Sequence, residues 1–450
     1  MPETSVSKTF DRALLFLGVV GALALALGLI TALRSPATPE SVTTTTPGAN
    51  AVSAHIVLTE FAISGDLEIE PGNVTFDITN QGSIVHNLEI EGGAVSANLN
   101  GGETAQLAAG DLATGEYTIF CNIVGHREAG MEATLVVQEG AAPQAHDDLT
   151  PEELNQMMID SMLAFPAETE GKGNQPLEPV RVEPDGTKVF ELTAEIITWE
   201  VEPGRFVDAW AYNGQVPGPW IRLDLGDLVE FHVTNLTPLG TDVHWHGIST
   251  PNNMDGVSPY TQDPILDGET FVYAFEAERP AIGMYHAHLH SQISVPNGMF
   301  GPIMIGDTPI PSGLTISGVE IPDDVEIAQE IPMVLNDAGV IGLSLNGKSF
   351  PATEPYVVSE GAWLVYHYYN EGLLPHPMHQ HQFPQLVFAK DGFPLEQPYW
   401  ADTVNVAPGE RYSVMVHADR AGTWVWHCHI LNHVERETGM FGMVTALVVQ

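Results

Sequence analysis

The chain has 450 residues, with 58 Asp or Glu against 15 Lys or Arg, so its formal net charge is −43 at pH 7. This balance excludes a nucleic-acid-binding role, because contact with phosphates needs clustered basic side chains. An acidic surface favours solubility in salt and could also attract metal cations or basic redox partners, and charge alone does not choose between these.

Residues 1–34 are predicted to be a membrane anchor or signal segment. Ala13–Leu33 is a run of 21 uncharged residues, and a bilayer core needs about 20. Lys8 and Arg12 precede it, so the positive-inside rule places the rest of the chain outside the cytoplasm. A cleaved signal peptide is the alternative, although its apolar region is usually about 7–15 residues long. We expect an extracytoplasmic, envelope-anchored protein, or a secreted one if the segment is cleaved.

Residues 35–51 are rich in Pro, Thr and Ser and are expected to be a flexible linker. Residues 52–138 are predicted to form a β-sandwich or Greek-key barrel. Their short β-rich runs, such as VTFDITN and YTIFCNIV, are separated by turns that contain glycine.

This first β-rich region holds one of only two cysteines in the chain. Two His, one Cys and a distant axial Met are the ligands of a blue-copper electron-transfer site. The candidate ligands here are His86, Cys121, His126 and Met131. A structural thiol or a disulfide is the alternative, but it would not explain the spaced His and Met.

Residues 139–176 are predicted to be a linker with a short helix, where Thr150 and Glu153 match a capping box. Two further strand-rich regions follow, 177–308 and 325–450, joined by a linker at 309–324. Both end on a strand after a GMF step, in NGMFGPIMI and TGMFGMVTALVV. This repetition indicates duplicated domains.

Four His-x-His pairs lie in these two regions. Side chains alternate along a strand, so residues i and i+2 point to one side. Eight imidazoles are too many for one metal ion and enough for a cluster. The pairs are His244/His246, His286/His288, His379/His381 and His427/His429.

The second cysteine lies inside the last of these pairs. Strand alternation points the Cys428 thiolate away from His427 and His429, so one short segment can connect two metal sites. The ligand pattern of the first region recurs here and predicts a second blue-copper site. Its candidate ligands are His376, Cys428, His433 and Met440, with Met443 as the second choice for the axial position.

Four motifs carry a resemblance to multicopper oxidases: HWHG at 244–247, YHAH at 285–288, HPMHQH at 376–381 and HCHILNH at 427–433. The resemblance covers roughly residues 180–450. FCNIVGHREAGM in the first region is similar to the copper loop of plastocyanin-like cupredoxins. Together they imply an all-β protein of three cupredoxin-like Greek-key barrels or sandwiches, in which a blue-copper domain precedes a two-domain, laccase-like oxidase.

The resemblance also implies copper roles for the paired histidines. His244 and His379 would bind the type 2 copper. The type 3 pair would be bound by His246, His286, His288, His381, His427 and His429. In such enzymes a donor reduces the type 1 copper by single electrons, and the cluster reduces O2 to water. Two-domain members assemble this cluster between neighbouring subunits, so a homotrimer is expected.

Departures from the family pattern leave some roles open. The axial methionine usually lies ten residues after the cysteine, whereas Met440 lies twelve after Cys428. Asp255 resembles the family's acid beside the type 2 copper and is a candidate for proton delivery. Glu435 is a second candidate, but equally a solvated surface residue. His290 is an extra histidine that could support the cluster or face solvent.

The donor stays open among phenols, metal ions and a redox protein, and the acidic VERET segment near the second blue site favours a metal cation. The copper near Cys121 could pass electrons to the one near Cys428, or serve an unrelated route. A copper nitrite reductase is an alternative, but it needs a thiolate site in a region, 177–308, that has no cysteine. A non-enzymatic copper carrier would leave the eight paired histidines unexplained.

Overall fold

The computed structural model describes residues 51–450 except residues 60, 83, 128–129, 141–149 and 437–438. The predicted anchor and nearly all of the first linker lie outside this range. Within the described residues, no helix is both long enough and apolar enough to cross a bilayer. The described residues belong to one compact unit.

The part that the structure describes is built of β-sheets, which confirms the predicted all-β class. The strands between residues 51 and 137 are β1 (Ala51–Thr59), β2 (Ala62–Gly65), β3 (Glu68–Ile69), β4 (Gly72–Asn80), β5 (Glu89–Ile90), β6 (Thr104–Leu112), β7 (Gly115–Phe120) and β8 (Glu132–Val137). They form two sheets, ordered β2-β1-β4-β6 and β3-β8-β7-β5. In β4, Val74, Phe76 and Ile78 alternate with polar residues and are fully buried, so that sheet turns one apolar face to the core.

A second pair of sheets follows in residues 181–305. Its strands are β9 (Arg181–Val182), β10 (Lys188–Glu202), β11 (Arg205–Tyr212), β12 (Ile221–Leu223), β13 (Leu228–Asn235), β14 (His244–His246), β15 (Thr270–Glu276), β16 (Ala281–His286) and β17 (Phe300–Ile305). One sheet runs β11-β10-β13-β15 with β9 added on β10, and the other runs β12-β17-β16-β14. Phe231 and Trp245 pack within the buried core of this pair, with ring centroids 4.6 Å apart and ring planes tilted by 41°.

A third pair of sheets occupies residues 327–449, after a small hairpin. The strands of this part are β18 (Thr315–Ile316), β19 (Val319–Glu320), β20 (Ile327–Ala338), β21 (Gly342–Leu345), β22 (Tyr356–Val358), β23 (Ala362–Asn370), β24 (His376–Gln380), β25 (Gln385–Lys390), β26 (Phe393–Ala401), β27 (Thr403–Val406), β28 (Arg411–Ala418), β29 (Gly422–Cys428), β30 (Glu435–Arg436), β31 (Gly439–Met440) and β32 (Val444–Val449). The sheets are ordered β21-β20-β23-β28-β25-β26 and β22-β32-β29-β24-β27, and β30 pairs with β31 in a hairpin.

Short helices connect these sheets. They are α1 (Pro151–Leu163), α2 (Ser291–Ser294) and two 3₁₀ turns, Asn252–Met254 and Leu431–His433. Helix α1 begins after Thr150, whose side chain forms a reciprocal capping box with Glu153. It packs on the β30–β31 hairpin, where a Cβ on Gly439 would collide with Ser161.

The second and third pairs of sheets share an apolar core. Trp199, Ile282 and Phe300 of the second pair form one buried cluster with Val334 and Tyr369 of the third. Polar contacts reinforce the junction, since the Trp199 indole donates to the Gly347 carbonyl at 2.7 Å. The metal-ligand candidates of the two regions are therefore held on one rigid framework.

Candidate metal centres

The first centre lies where β7 ends and the loop before β8 begins. Cys121 Sγ is 3.4 Å from His126 Nδ1, and His86 Nδ1 is 3.1 Å from the same nitrogen. Cys121 also accepts a hydrogen bond from the Asn87 backbone N–H at 3.4 Å. Burial raises the pKa of the Cys121 thiol, while the bond from Asn87 acts in the opposite direction. The three ligand atoms converge as a cation site requires.

Backbone hydrogen bonds place Met131 beside the first centre. The Cys121 N–H donates to the Met131 carbonyl at 3.0 Å, and the Met131 N–H donates to the His126 carbonyl at 2.9 Å. Met131 is fully buried in the same apolar cluster as Cys121. Met131 therefore lies beside the three candidate ligands, as the fourth residue of a blue-copper set would.

The second centre repeats this arrangement at the end of β29. Cys428 Sγ lies 3.8 Å from His376 Nδ1 and 3.7 Å from His433 Nδ1. A trigonal ion with metal–nitrogen and metal–sulfur bonds of about 2.0 and 2.3 Å would hold such atoms about 3.7 Å apart. The spacing therefore fits a metal ion bound between the three side chains.

Burial controls the protonation of the second centre. His376, Cys428 and His433 are all 0% exposed. Burial raises the pKa of the Cys428 thiol to about 12 and lowers the pKa of His376 to about 3, with further lowering by His433. The imidazole of His376 is thus neutral, as a ligand must be, and a bound cation would displace the thiol proton.

The same backbone pattern identifies the methionine that corresponds to Met131. The Cys428 N–H donates to the Met443 carbonyl at 3.1 Å, and the Met443 N–H donates to the His433 carbonyl at 3.0 Å. Met443 is fully buried with Cys428 in the core. The structure thus gives Met443, the second choice from sequence, the place that Met131 has in the first centre.

Met440, the first choice from sequence, lies on the β30–β31 hairpin and is only half-buried. Its backbone N–H donates to Ser161 Oγ of α1 at 2.9 Å. The hairpin is an insertion between His433 and Met443 relative to the first centre. Glu435 is exposed on β30 of this hairpin.

The first set of four histidines lies on neighbouring strands of the second region. His244 on β14 stands directly opposite His286 on β16. The rings of His246, His286 and His288 lie 5.5–5.8 Å from the rings of their neighbours, measured between centroids. Burial lowers the pKa of His246 to about 3 and that of His286 to about 4, so both offer neutral nitrogens.

The second set of four lies on β24 and β29, where His379 stands opposite His427. His381 Nε2 is 3.3 Å from His427 Nε2, and the ring of His429 is 5.7 Å from that of His379. His379, His381 and His427 together form a candidate metal-binding group. Throughout the described residues, no ring contact joins this set to the first one.

Backbone carbonyls orient the rings of both sets. The Nδ1 atoms of His244, His379 and His427 lie 2.8, 3.1 and 2.7 Å from the carbonyl oxygens of Asp255, Asp402 and Cys428. A carbonyl only accepts, so each Nδ1 carries the proton and each Nε2 presents a lone pair that a metal can use.

Carboxylates lie next to one histidine of each set. Asp255 Oδ1 is 3.6 Å from His244 Nδ1, and Asp402 Oδ2 is 3.2 Å from His379 Nδ1. Asp255 was expected from the sequence, whereas Asp402 was missed because it lies 23 residues from His379 along the chain. Its position directly before β27, the partner of β24, becomes meaningful only once that pairing is known.

Asp242 and His290 lie close in sequence to the first set of histidines. Sequence reasoning also missed Asp242, which is buried and accepts backbone N–H bonds from Ser258, His288 and Leu289 at 2.8–2.9 Å. Its place two residues before His244 was the available signal. His290 is exposed and adopts a left-handed φ of 56° before α2, which fits the solvent-facing interpretation.

Comparison with known proteins agrees with this geometry. Multicopper oxidase family models match residues 193–309 and 320–447, and a cupredoxin-like domain model matches residues 24–137. Laccase-2 of Botryotinia fuckeliana is 31% identical over 293 residues, which are 56% of this chain and 48% of the relative. The chain thus spans about half the length, or less, of the curated relatives that it matches.

Two solved structures extend the comparison. Blue copper oxidase from Nitrosomonas europaea is 30% identical with a TM-score of 0.52, over 58% of this chain and 86% of that one. Multicopper oxidase mgLAC is 33% identical with a TM-score of 0.53, over 59% of this chain and 86% of that one.

Proposed function

Because the chain belongs to the multicopper oxidase family, we propose that it couples one-electron oxidation of a donor to the four-electron reduction of O2 to water. Bound copper supplies the one-electron redox chemistry. The observation that carries the proposal is the His427-Cys428-His429 segment. Its thiol faces the buried second centre, while its two imidazoles belong to a histidine set outside the core.

We assign the ligands from the geometry and the family pattern together. Type 1 copper would be held by His86, Cys121, His126 and Met131 in the first region, and by His376, Cys428, His433 and Met443 in the third. We choose Met443 over Met440, because its backbone hydrogen bonds match those of Met131. Type 2 copper would be held by His244 and His379, and the type 3 pair by His246, His286, His288, His381, His427 and His429.

The residues around the cluster do separate tasks. The carbonyls of Asp255 and Asp402 hold the protons of His244 and His379 on Nδ1, so the Nε2 atoms face the metal side. The carboxylates of the same two aspartates lie 3.6 and 3.2 Å from these Nδ1 atoms, on the side of each ring away from Nε2, and we propose that they relay protons for water formation from there. Glu435, exposed on the hairpin, is the weaker candidate for this task.

The two histidine sets favour a homotrimer. Each set offers ligands at the surface, where His288, His381 and His429 are exposed. A cluster needs histidines from both sets, so a neighbouring subunit would bring the first set of one chain to the second set of the next. Native mass spectrometry should detect three chains, and dilution to monomers should abolish O2 reduction. An active monomer would refute this assembly.

We place the enzyme on the extracytoplasmic side of the cell envelope, anchored by residues 13–33 or secreted after cleavage. The long uncharged run and the basic residues before it support this placement. The donor class ranges over phenols, metal cations and redox proteins.

Copper content and the paramagnetic spectrum test the proposed function. The assignment predicts five coppers per chain, one at each thiolate centre and three in the cluster, with the coupled type 3 pair silent. About three coppers, all visible, would refute the cluster and favour nitrite reduction. Oxygen uptake with a phenolic donor excludes a simple copper carrier, which would support none.

A further inference from the structure

The ligands of the Cys428 centre are sealed from solvent. His376 and His433 are both 0% exposed. The β30–β31 hairpin and α1 pack together beside them, through the hydrogen bond from Met440 to Ser161. Farther along the same loop, the Phe350 N–H donates to the Gly442 carbonyl at 2.9 Å. A donor in solvent therefore contacts neither imidazole.

The Cys121 centre lies against the segment that supports this buried site. Ala338, at the end of β20, is 1% exposed and belongs to the apolar cluster that contains Cys121 and Met131. Gly130, the neighbour of Met131, faces Gly339, because a Cβ built on Gly130 would lie 3.6 Å from Gly339 Cα. The first copper loop and the turn after β20 are thus close neighbours, and the packing of Ala338 in the cluster of Cys121 and Met131 joins them.

Asp337, the residue before Ala338, lies beside His376, a candidate ligand of the buried Cys428 centre. Asp337 Oδ2 lies 3.7 Å from His376 Nε2, and both side chains are 0% exposed. Asp337 is held in place because it accepts backbone N–H bonds from Leu373 at 2.6 Å and Leu374 at 2.9 Å. Three consecutive residues, 337–339, therefore link the contact with the first centre to the His376 imidazole.

Contacts with the second region fix this segment on both sides. Asn336 Nδ2 donates to the Pro296 carbonyl at 3.4 Å, and the Val340 N–H donates to Asn297 Oδ1 at 2.8 Å. A rigid bridge of this kind keeps the separation of the two centres constant.

We propose that the Cys121 centre is the port through which electrons enter the oxidase, and that they reach the Cys428 centre through residues 337–339 and His376. The direction rests on the proposed function, since the cluster consumes electrons. With copper bound at both centres, each transfer would oxidise Cu(I) to Cu(II) at the first centre and reduce Cu(II) to Cu(I) at the second. An external one-electron donor then reduces the first centre again. The net charge of −43 makes a basic redox protein the fitting donor.

Anaerobic rapid mixing of the copper-loaded full chain with a reduced, basic c-type cytochrome tests the route. The readouts are oxidation of the haem and loss of the blue absorbance. Cys121→Ser should lower the copper content by one per chain and keep the paramagnetic signal of the Cys428 centre. Reduction of that centre should slow at least tenfold.

Ala338→Arg provides a second variant that keeps both thiolate centres. Ala338 is not a ligand of either centre, so both blue signals should persist. An arginine does not fit the buried contact between the two centres, so transfer between them should slow at least tenfold. Leu163→Arg is the control, since it adds the same charge at a side chain that is 77% exposed on α1. Its rate of transfer between the two centres should stay within twofold of the parental rate. Reduction of the Cys428 centre at the parental rate in Cys121→Ser would overturn the proposal, whether or not Ala338→Arg folds.

This experiment distinguishes failure of the proposed electron route from failure of the proposed oxidase function. No O2 is present, so transfer between the two thiolate centres is measured even if the three-copper cluster does not exist. Copper counting decides the cluster, and the anaerobic rates decide the route.

Discussion

Exchange of Met443 for leucine tests the assignment of the second centre most directly. Met443 is fully buried, and a swap of similar volume in a core costs less than about 1.5 kcal/mol. Met443→Leu should therefore fold, whereas truncation to alanine would cost about 2–5 kcal/mol and confuse stability with copper binding. The matched control is Met440→Leu on the half-buried hairpin.

Loss of the axial thioether should raise the reduction potential of the copper, because a weak donor that favours Cu(II) is removed. The assay is a redox titration of the blue absorbance, with the paramagnetic spectrum, in a Cys121→Ser background that leaves one blue site. Met443→Leu should shift both readouts, and Met440→Leu should leave them at the parental values. A shift in Met440→Leu alone would show that the match between Met443 and Met131 does not extend to the copper.

Three further predictions follow from named contacts. Asp402→Asn keeps the backbone carbonyl that accepts from His379 Nδ1 and removes only the exposed carboxylate, so it should weaken copper binding at His379, or O2 reduction, by about tenfold, the low end of the usual effect of losing a partner of a metal ligand. Equal activity would exclude a role for the Asp402 carboxylate, and Asp419→Asn at an exposed position is the control. Burial opposes ionisation of Glu330, but the bond from His367 and the charges of His367 and Arg222 prevail and lower its pKa to about 2 from 4.5. Above pH 4.5 this lowered pKa stabilises the folded state by up to about 3 kcal/mol, and this stabilisation is lost as the pH falls towards 2. Glu330→Gln should therefore lower the free energy of unfolding, measured with urea, at pH 7 but not near pH 2. An equal loss at both pH values would contradict the reasoning. Thr150→Ala removes the cap of α1 and should cost about 1 kcal/mol, read as faster amide hydrogen exchange in α1, while Thr187→Ala in a surface turn should leave α1 unchanged.

Local spacing was enough to predict that the paired histidines lie on one side of a strand. Alternation on a strand puts His379 and His381 on one side, and the structure has both in one candidate metal group. The all-β class and the resemblance to multicopper oxidases were confirmed, because both depend on short-range patterns of apolar residues and on motifs within a few residues.

Residue spacing alone does not identify the methionine that takes the axial position. Counting from Cys428 favoured Met440, yet the hairpin lengthens the loop and moves Met440 against α1. Met440 still packs against the core that contains Cys428, but the backbone hydrogen bonds that match those of Met131 belong to Met443.

The sequence by itself determined the ligand types, the paired histidines and the β-strand framework, because each depends on residues close together in the chain. Only the tertiary structure decided that Asp402 faces His379, that His376 and His433 are sealed from solvent, and that Gly130 meets Gly339. These facts join residues that are distant in sequence. Strand pairing and the packing of one sheet on another bring them together, and no local pattern encodes that geometry.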